Sequence, residues 1–130
     1  MNDFTFCTPT KVHFGKGSVE HLHDEVLAIG KKVLLVYGGS SIKRSGLYDK
    51  VKAALSDCEI YEQAGVEPNP RVTSVRAGAQ QCKQHDIDVV LAVGGGSVLD
   101  CAKGSVLLLV TMVMLGIWCW IIPRSQRLCL

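Results

Sequence analysis

The sequence predicts an α/β fold built on a parallel sheet, from three observations. Val33–Tyr37 and Val89–Val93 are short, continuously apolar runs, and each ends in glycine. Segments with helical spacing precede and follow both. Apolar runs of this length suit strands buried on both faces. Strands alternating with helices assemble into a parallel sheet with right-handed crossovers.

Residues 4–18 (FTFCTPTKVHFGKGS) alternate bulky and polar side chains around Pro9. This predicts one or two short strands and a turn at Gly15-Lys16-Gly17. Ser18 is placed to cap a helix starting at Val19, with Val19, Leu22, Val26 and Ile29 on one face and Gly30 closing it. The first apolar strand follows, from Lys32 to Gly38. Leu47, Val51 and Leu55, four apart, predict the next helix. Glu59-Ile60-Tyr61 is a weaker strand signal. Val66–Pro70 (VEPNP) is a rigid turn, because each proline fixes its own φ and restricts its predecessor. Val72, Val75, Ala79 and Cys82 mark the buried stripe of another helix. The second apolar strand runs from Ile87 into Gly94-Gly95-Gly96-Ser97, and a helix opens at Val98.

Composition narrows the function. Hydrophobic residues at 48% and charged residues at 20% exclude intrinsic disorder. A net charge of +2 is too balanced for the basic face that nucleic acid requires. The six cysteines, at 7, 58, 82, 101, 119 and 129, show no CxxC or zinc-finger spacing. The first residues lack the basic and apolar regions of a signal peptide. Reduced thiols and a cytoplasmic location are therefore expected.

Strand, GGGS, helix is the strongest chemical signal. Glycines let the backbone approach a ligand closely. The helix start offers unpaired N–H groups and the positive end of a dipole. Ser97 adds a hydroxyl. Together Gly94, Gly95, Gly96 and Ser97 predict a phosphate seat, against the plainer reading of a tight turn without ligand. The end of a buried strand is where open α/β sheets bind ligands. A second glycine turn, Gly38-Gly39-Ser40-Ser41, closes the other strand, with Lys43 and Arg44 close behind. An acid here would suit a ribose 2′-OH and a basic residue a 2′-phosphate, so this turn tilts towards NADP. The plainer reading is a solvated basic helix face. Neither GxGxxG nor GxxxxGK[ST] is present, which argues against a typical Rossmann enzyme and a P-loop NTPase. His13, His21, His23 and His85 read as surface or packing residues, without an Asp/Glu cluster. Cys101 follows Asp100 near a helix start, where a thiol pKa can fall; inert packing is the expected role.

Four segments carry a resemblance: TPTKVHFGKGSVEHL (8–22), KVLLVYGGSSIKRSGLYDKV (32–51), GVEPNPRV (65–72) and AVGGGSVLDCAK (92–103). In order and spacing they are similar to the iron-containing alcohol dehydrogenases, in particular the butanol dehydrogenase branch. The resemblance covers residues 4–103. It implies a Rossmann-like, parallel-sheet dinucleotide-binding domain of the dehydroquinate synthase/iron alcohol dehydrogenase type, truncated here. A helical metal-binding domain follows it in the family. By position, Gly94, Gly95, Gly96 and Ser97 would seat the pyrophosphate of NADP or NAD, with Asp100 near the nicotinamide end. Gly38, Gly39, Ser40 and Lys43 would face the adenosine ribose, and Asn69 would line the cleft. The implied reaction is hydride transfer between a small alcohol or aldehyde and NAD(P), with a divalent iron or zinc as Lewis acid. The family's metal ligands lie in the second domain, so no metal ligand and no catalytic residue is transferred to this chain. The fragment is expected to be inactive. A homodimer through an N-terminal edge strand is also implied. The alternative is a stand-alone nucleotide-binding or regulatory module, with or without a membrane anchor in its tail.

The composition breaks at residue 104. Residues 1–104 hold 12 basic and 12 acidic side chains, whereas 105–130 hold Arg124, Arg127 and no acid. Ser105–Ile122 is 18 uncharged, mostly apolar residues. Three readings compete for 105–130: a membrane anchor with Trp118 and Trp120 at the interface, a buried helix, and a frameshift. The genetic code favours the last. In the frame that joins the third base of each codon to the next two, Met112-Val113 forces Gly. Trp118-Cys119, Cys119-Trp120 and Trp120-Ile121 force Val, Leu and Asp. The remaining codons permit YYGDAWDLVLD, similar to the family's segment after the GGGS helix. The expected organisation is therefore an incomplete nucleotide-binding domain over 1–104 and an out-of-frame tail, without a designed membrane anchor.

Overall fold

The computed structural model describes residues 11–111. A 3₁₀ turn, Ser18–His21, leads into α1 (Leu22–Leu27). Then come β1 (Lys32–Tyr37), α2 (Ser41–Arg44), α3 (Leu47–Ala54), β2 (Glu59–Gln63), α4 (Val72–Gln84), β3 (Val89–Val93) and α5 (Gly96–Thr111). The three strands form one parallel sheet in the order β2-β1-β3.

The central strand explains its own composition. Val33, Leu35 and Tyr37 pack on one face with Leu22, Val26, Ile42, Val51 and Leu55 from α1, α2 and α3. Leu34 and Val36 pack on the other with Cys82 of α4 and Val98, Cys101 and Ala102 of α5. A strand covered on both sides cannot alternate apolar with polar. Each fully buried Val or Leu contributes about 1.5–3 kcal/mol relative to exposure. β3 is buried along its whole length in the same way. β2 lies outside β1 and exposes Glu59 and Glu62, the usual protection of a sheet edge.

The connections fit the handedness rule. β1 reaches β2 through α3 on one face, and β2 returns past β1 to β3 through α4 on the other. Movement in opposite directions along a sheet requires opposite faces if both crossovers are right-handed.

Several local expectations change. Residues 11–14 form no strand, and residues 4–10 lie outside the described residues. Gly17, at φ 85°, takes the N-cap position assigned to Ser18, and no side chain caps that turn. Val72 is 62% exposed, so it is not on the buried stripe of α4. Gly78 is buried there instead, because Gln63 and Ser105 fill the space a Cβ would need. α5 runs continuously across the 104/105 boundary, with Ser105 buried and Val106 and Leu109 packed on the core. Among the described residues no helix is long and apolar enough to cross a membrane. Most of the stretch read as an anchor lies outside them.

Asp88 fixes the entry to the central strand. Its Oδ2 accepts the N–H groups of Lys31 and Lys32, both at 3.0 Å. A Cβ on Gly30 would fall 2.3 Å from the Asp88 side chain, so the chain passes there only as glycine. Asp88→Ala leaves two backbone donors without their acceptor. It should lower stability by about 1–3 kcal/mol in urea unfolding, with Asp88→Asn, which keeps an acceptor, losing less.

Candidate nucleotide-binding cleft

All three parallel strands end on one side of the sheet. After β1 the chain departs towards β2, whereas β3 lies on the other flank, so the ends of β1 and β3 bound a topological switch point. A cleft of about 260 Å³ opens there. Gly38, Gly39, Ser41 and Ile42 line it from the β1 turn, Val66 and Pro68 from the loop after β2, and Gly94–Val98 from the start of α5.

Backbone hydrogen bonds tie the three turns together. Gly65 N–H donates to the Gly38 carbonyl at 3.0 Å, and Val66 N–H to the Tyr37 carbonyl at 3.2 Å. Asn69, at φ 57°, donates its N–H to Ser97 Oγ at 3.3 Å. That φ is uncommon for a residue with a side chain, and Asn tolerates it better than most. The β2 loop thus joins both glycine turns.

The start of α5 is bare backbone. Val98 and Leu99 N–H groups both return to the Gly95 carbonyl, at 3.0 and 3.2 Å. Gly96 and Ser97 are therefore first-turn residues, whose amides have no helical carbonyl to reach. A Cβ on Gly94 would stand 2.8 Å from Val98 Cγ2, so the strand end and helix approach closely only with glycine. On Gly39, Gly95 and Gly96 a Cβ would meet nothing within 4 Å. Those positions face open space, and their lack of side chains leaves room for a ligand. First-turn amides, the positive helix end and the Ser97 hydroxyl are groups of the kind that favour an anion.

The other expected residues are distributed unevenly. Gly38, Gly39, Gly94, Gly95, Gly96 and Ser97 line the cleft, and Asn69 is bonded to it through Ser97. Ser40 precedes α2 outside the lining, and Asp100 is exposed one turn along α5. Lys43 lies over the rings of Tyr37 and Tyr48, its Nζ 5.6 and 5.1 Å from their centroids. Sequence reasoning missed Ser41, Ile42, Val66, Pro68 and Val98 as lining residues. Pro68 belongs to a recognised motif and Ser41 to the serine pair. The three aliphatic residues carry no signal that separates a cleft wall from core.

The other titratable groups are accounted for by packing and surface pairing. Cys101 is fully buried, and burial pushes its thiol above the ordinary value, as packing requires. His13 stacks on His21, and His85 on Tyr61. His23 does have acidic neighbours, lying 3.3 Å from both Asp24 and Asp57. Among the described residues no group of three His, Cys, Asp or Glu side chains is arranged to hold a metal ion. Beside the β1 turn, Tyr37 and Tyr48 hydroxyls donate to Glu62 at 2.8 and 2.7 Å, and Lys52 joins at 3.1 Å. The Glu62 bond pushes Tyr48 up to about 12. Partial burial opposes ionisation of Glu62, but Tyr48, Tyr37 and Lys52 outweigh it and hold its carboxyl below the ordinary value.

This geometry can be set beside known proteins. The sequence model of the iron-containing alcohol dehydrogenases matches residues 9–126. The chain belongs to the iron-containing alcohol dehydrogenase family. Among relatives in this family, the probable NADH-dependent butanol dehydrogenase 1 of Bacillus subtilis is 57% identical over 105 residues, covering 79% of this chain and 27% of the relative. The NADPH-dependent aldehyde reductase YqhD of Escherichia coli is 39% identical over 103 residues, covering 79% of this chain and 26% of the relative. The crystal structure of NADH-dependent butanol dehydrogenase A from Thermotoga maritima superposes with a TM-score of 0.73 at 42% identity, covering 79% of this chain and 27% of that one. The chain thus spans about a quarter of the length of the iron-containing alcohol dehydrogenases it matches.

Proposed function

We propose that the chain is the nucleotide-seating part of an NAD(P)-dependent alcohol dehydrogenase or aldehyde reductase, and that its cleft takes NAD(H). One observation carries the reading: bare first-turn amides of α5 face the glycine turn of β1 across a switch-point cleft. Family membership and the NADH or NADPH dependence named for the relatives support it. NAD(H) supplies the hydride acceptor or donor when bound, and the residues of this chain bind and orient it.

Gly96 and Ser97 amides hold the pyrophosphate. Ser97 Oγ accepts the Asn69 N–H, which leaves the hydroxyl proton to point outward at an anionic oxygen. Gly38 and Gly39 leave space for the adenosine ribose, with Ser40 at the rim. Asp100 stands towards the nicotinamide end. Two observations favour NAD(H) over the NADP that the basic turn suggests. Lys43 is engaged on tyrosine rings, and the 57% identical relative carries NADH in its name. The substrate class is a small primary alcohol or its aldehyde. The described residues offer no fitting donor set for iron or zinc, and no step through a metal is assigned to them.

Titration of the whole chain with NADH, followed by nucleotide fluorescence, tests the seat. Gly96→Val puts a side chain into the open space, so binding should weaken more than about tenfold while the melting temperature stays within the scatter of ordinary surface substitutions. Equal affinity of the two proteins would refute the seat.

We also infer that residues 105–130 are read out of frame. The forced Gly, Val, Leu and Asp codons support this, as does a Bacillus match of 105 residues in a chain of 130, although the family match extends to residue 126. Sequencing the coding DNA from the Lys103 codon should reveal YYGDAWDLVLD in the neighbouring frame. Its absence from every frame would overturn the inference.

A further inference from the structure

One polar cluster lies outside the cleft and is not used by the pyrophosphate seat. Tyr37 ends β1 immediately before the Gly38-Gly39 turn. Tyr48 comes from α3 and meets it edge to face, ring centroids 5.7 Å apart. Glu62, near the end of β2, ties them together. One carboxylate oxygen accepts the Tyr37 hydroxyl at 2.8 Å, and the other accepts Tyr48 at 2.7 Å and Lys52 at 3.1 Å. The ammonium of Lys43, from the helix that follows the glycine turn, rests against both aromatic faces.

The location gives this cluster a function. Ser41 and Ile42 line the cleft, and Lys43 is the next residue. On the dinucleotide reading, a pyrophosphate at the start of α5 has the β1 turn as the facing wall of the same cleft, which puts the distal ribose within reach of this turn. Lys43 is the cation on that turn nearest the lining in sequence. It is engaged by two rings whose hydroxyls both donate to a carboxylate, which makes those rings richer in electrons.

We propose that Tyr37, Tyr48 and Glu62 form a cofactor-specificity element that holds Lys43 away from the ribose 2′ position and so selects NADH against NADPH. The proposal rests on the dinucleotide reading of the cleft and adds its selectivity. A 2′-phosphate that recruits Lys43 must first detach it from the rings. Each exposed cation–π contact corresponds to a factor of about 2–5, so the pair imposes a penalty of about 5–30-fold. Glu62 adds negative charge beside the same position and offers a phosphate no donor.

The test is the ratio of NADPH to NADH dissociation constants for the whole chain, with circular dichroism to confirm the fold of each variant. Lys43→Met alone should move the ratio less than about twofold, because the ammonium is already withheld. Tyr48→Leu should shift the ratio towards NADPH by about fivefold, and adding Lys43→Met should abolish that gain. Tyr48→Phe keeps the ring but loses its bond to Glu62, so its ratio should fall between those of the unsubstituted protein and Tyr48→Leu. A tenfold loss of NADPH affinity in Lys43→Met would show that Lys43 serves the phosphate, and would overturn the proposal even if the Tyr48 variants did not fold. A folded Tyr48→Leu protein with an unchanged ratio would overturn it too, with the dinucleotide reading intact. Binding of neither nucleotide by the unsubstituted chain would overturn both.

Discussion

Burial of β1 on both faces is the constraint from which the rest of the structure follows. Val33, Leu35 and Tyr37 need one helical layer, and Leu34 and Val36 need another. A 101-residue stretch can supply two layers only if successive crossovers pass on opposite faces, which sends β2 to one flank of β1 and β3 to the other. That divergence opens the cleft at the ends of β1 and β3. The binding geometry is a consequence of how the central strand is covered.

The cleft inherits its rigidity from the sheet. The loop after β2 is stitched to the β1 turn through Gly65 and Val66 and to the α5 start through Asn69 and Ser97. Its walls are aliphatic, from Ile42, Val66 and Val98, and its floor is glycine backbone. Such a site recognises a flat or anionic group through amides. The side chains that tune selectivity stand behind the turn: Tyr37, Tyr48, Glu62 and Lys43 are coupled to one another on the β2 flank.

Much of this was legible in the sequence, for physical reasons. A five-residue apolar run ending in glycine has few other interpretations, so β1, β3 and both glycine turns were readable. β2 was weak because an edge strand carries Glu59 and Glu62 where a central one carries valine. The stripe on α4 excludes Val72, a first-turn residue that the fold leaves 62% exposed and outside both core clusters. Gly78 went unnoticed because its reason is a close approach by Gln63 and Ser105 from other elements. The position of Lys43 was not readable either. A basic residue after a glycine turn suggests a phosphate partner, and the two tyrosines that occupy it become neighbours only in the fold.

If the sheet brings the two glycine turns together into one anion seat, amide chemical shifts of the ¹⁵N-labelled chain should report it as ADP is added. The largest changes should fall on Gly95, Gly96 and Ser97, accompanied by Gly38 and Gly39 and saturating with a single affinity. Changes centred elsewhere, such as around His13 and His21, or no change at the start of α5, would contradict it.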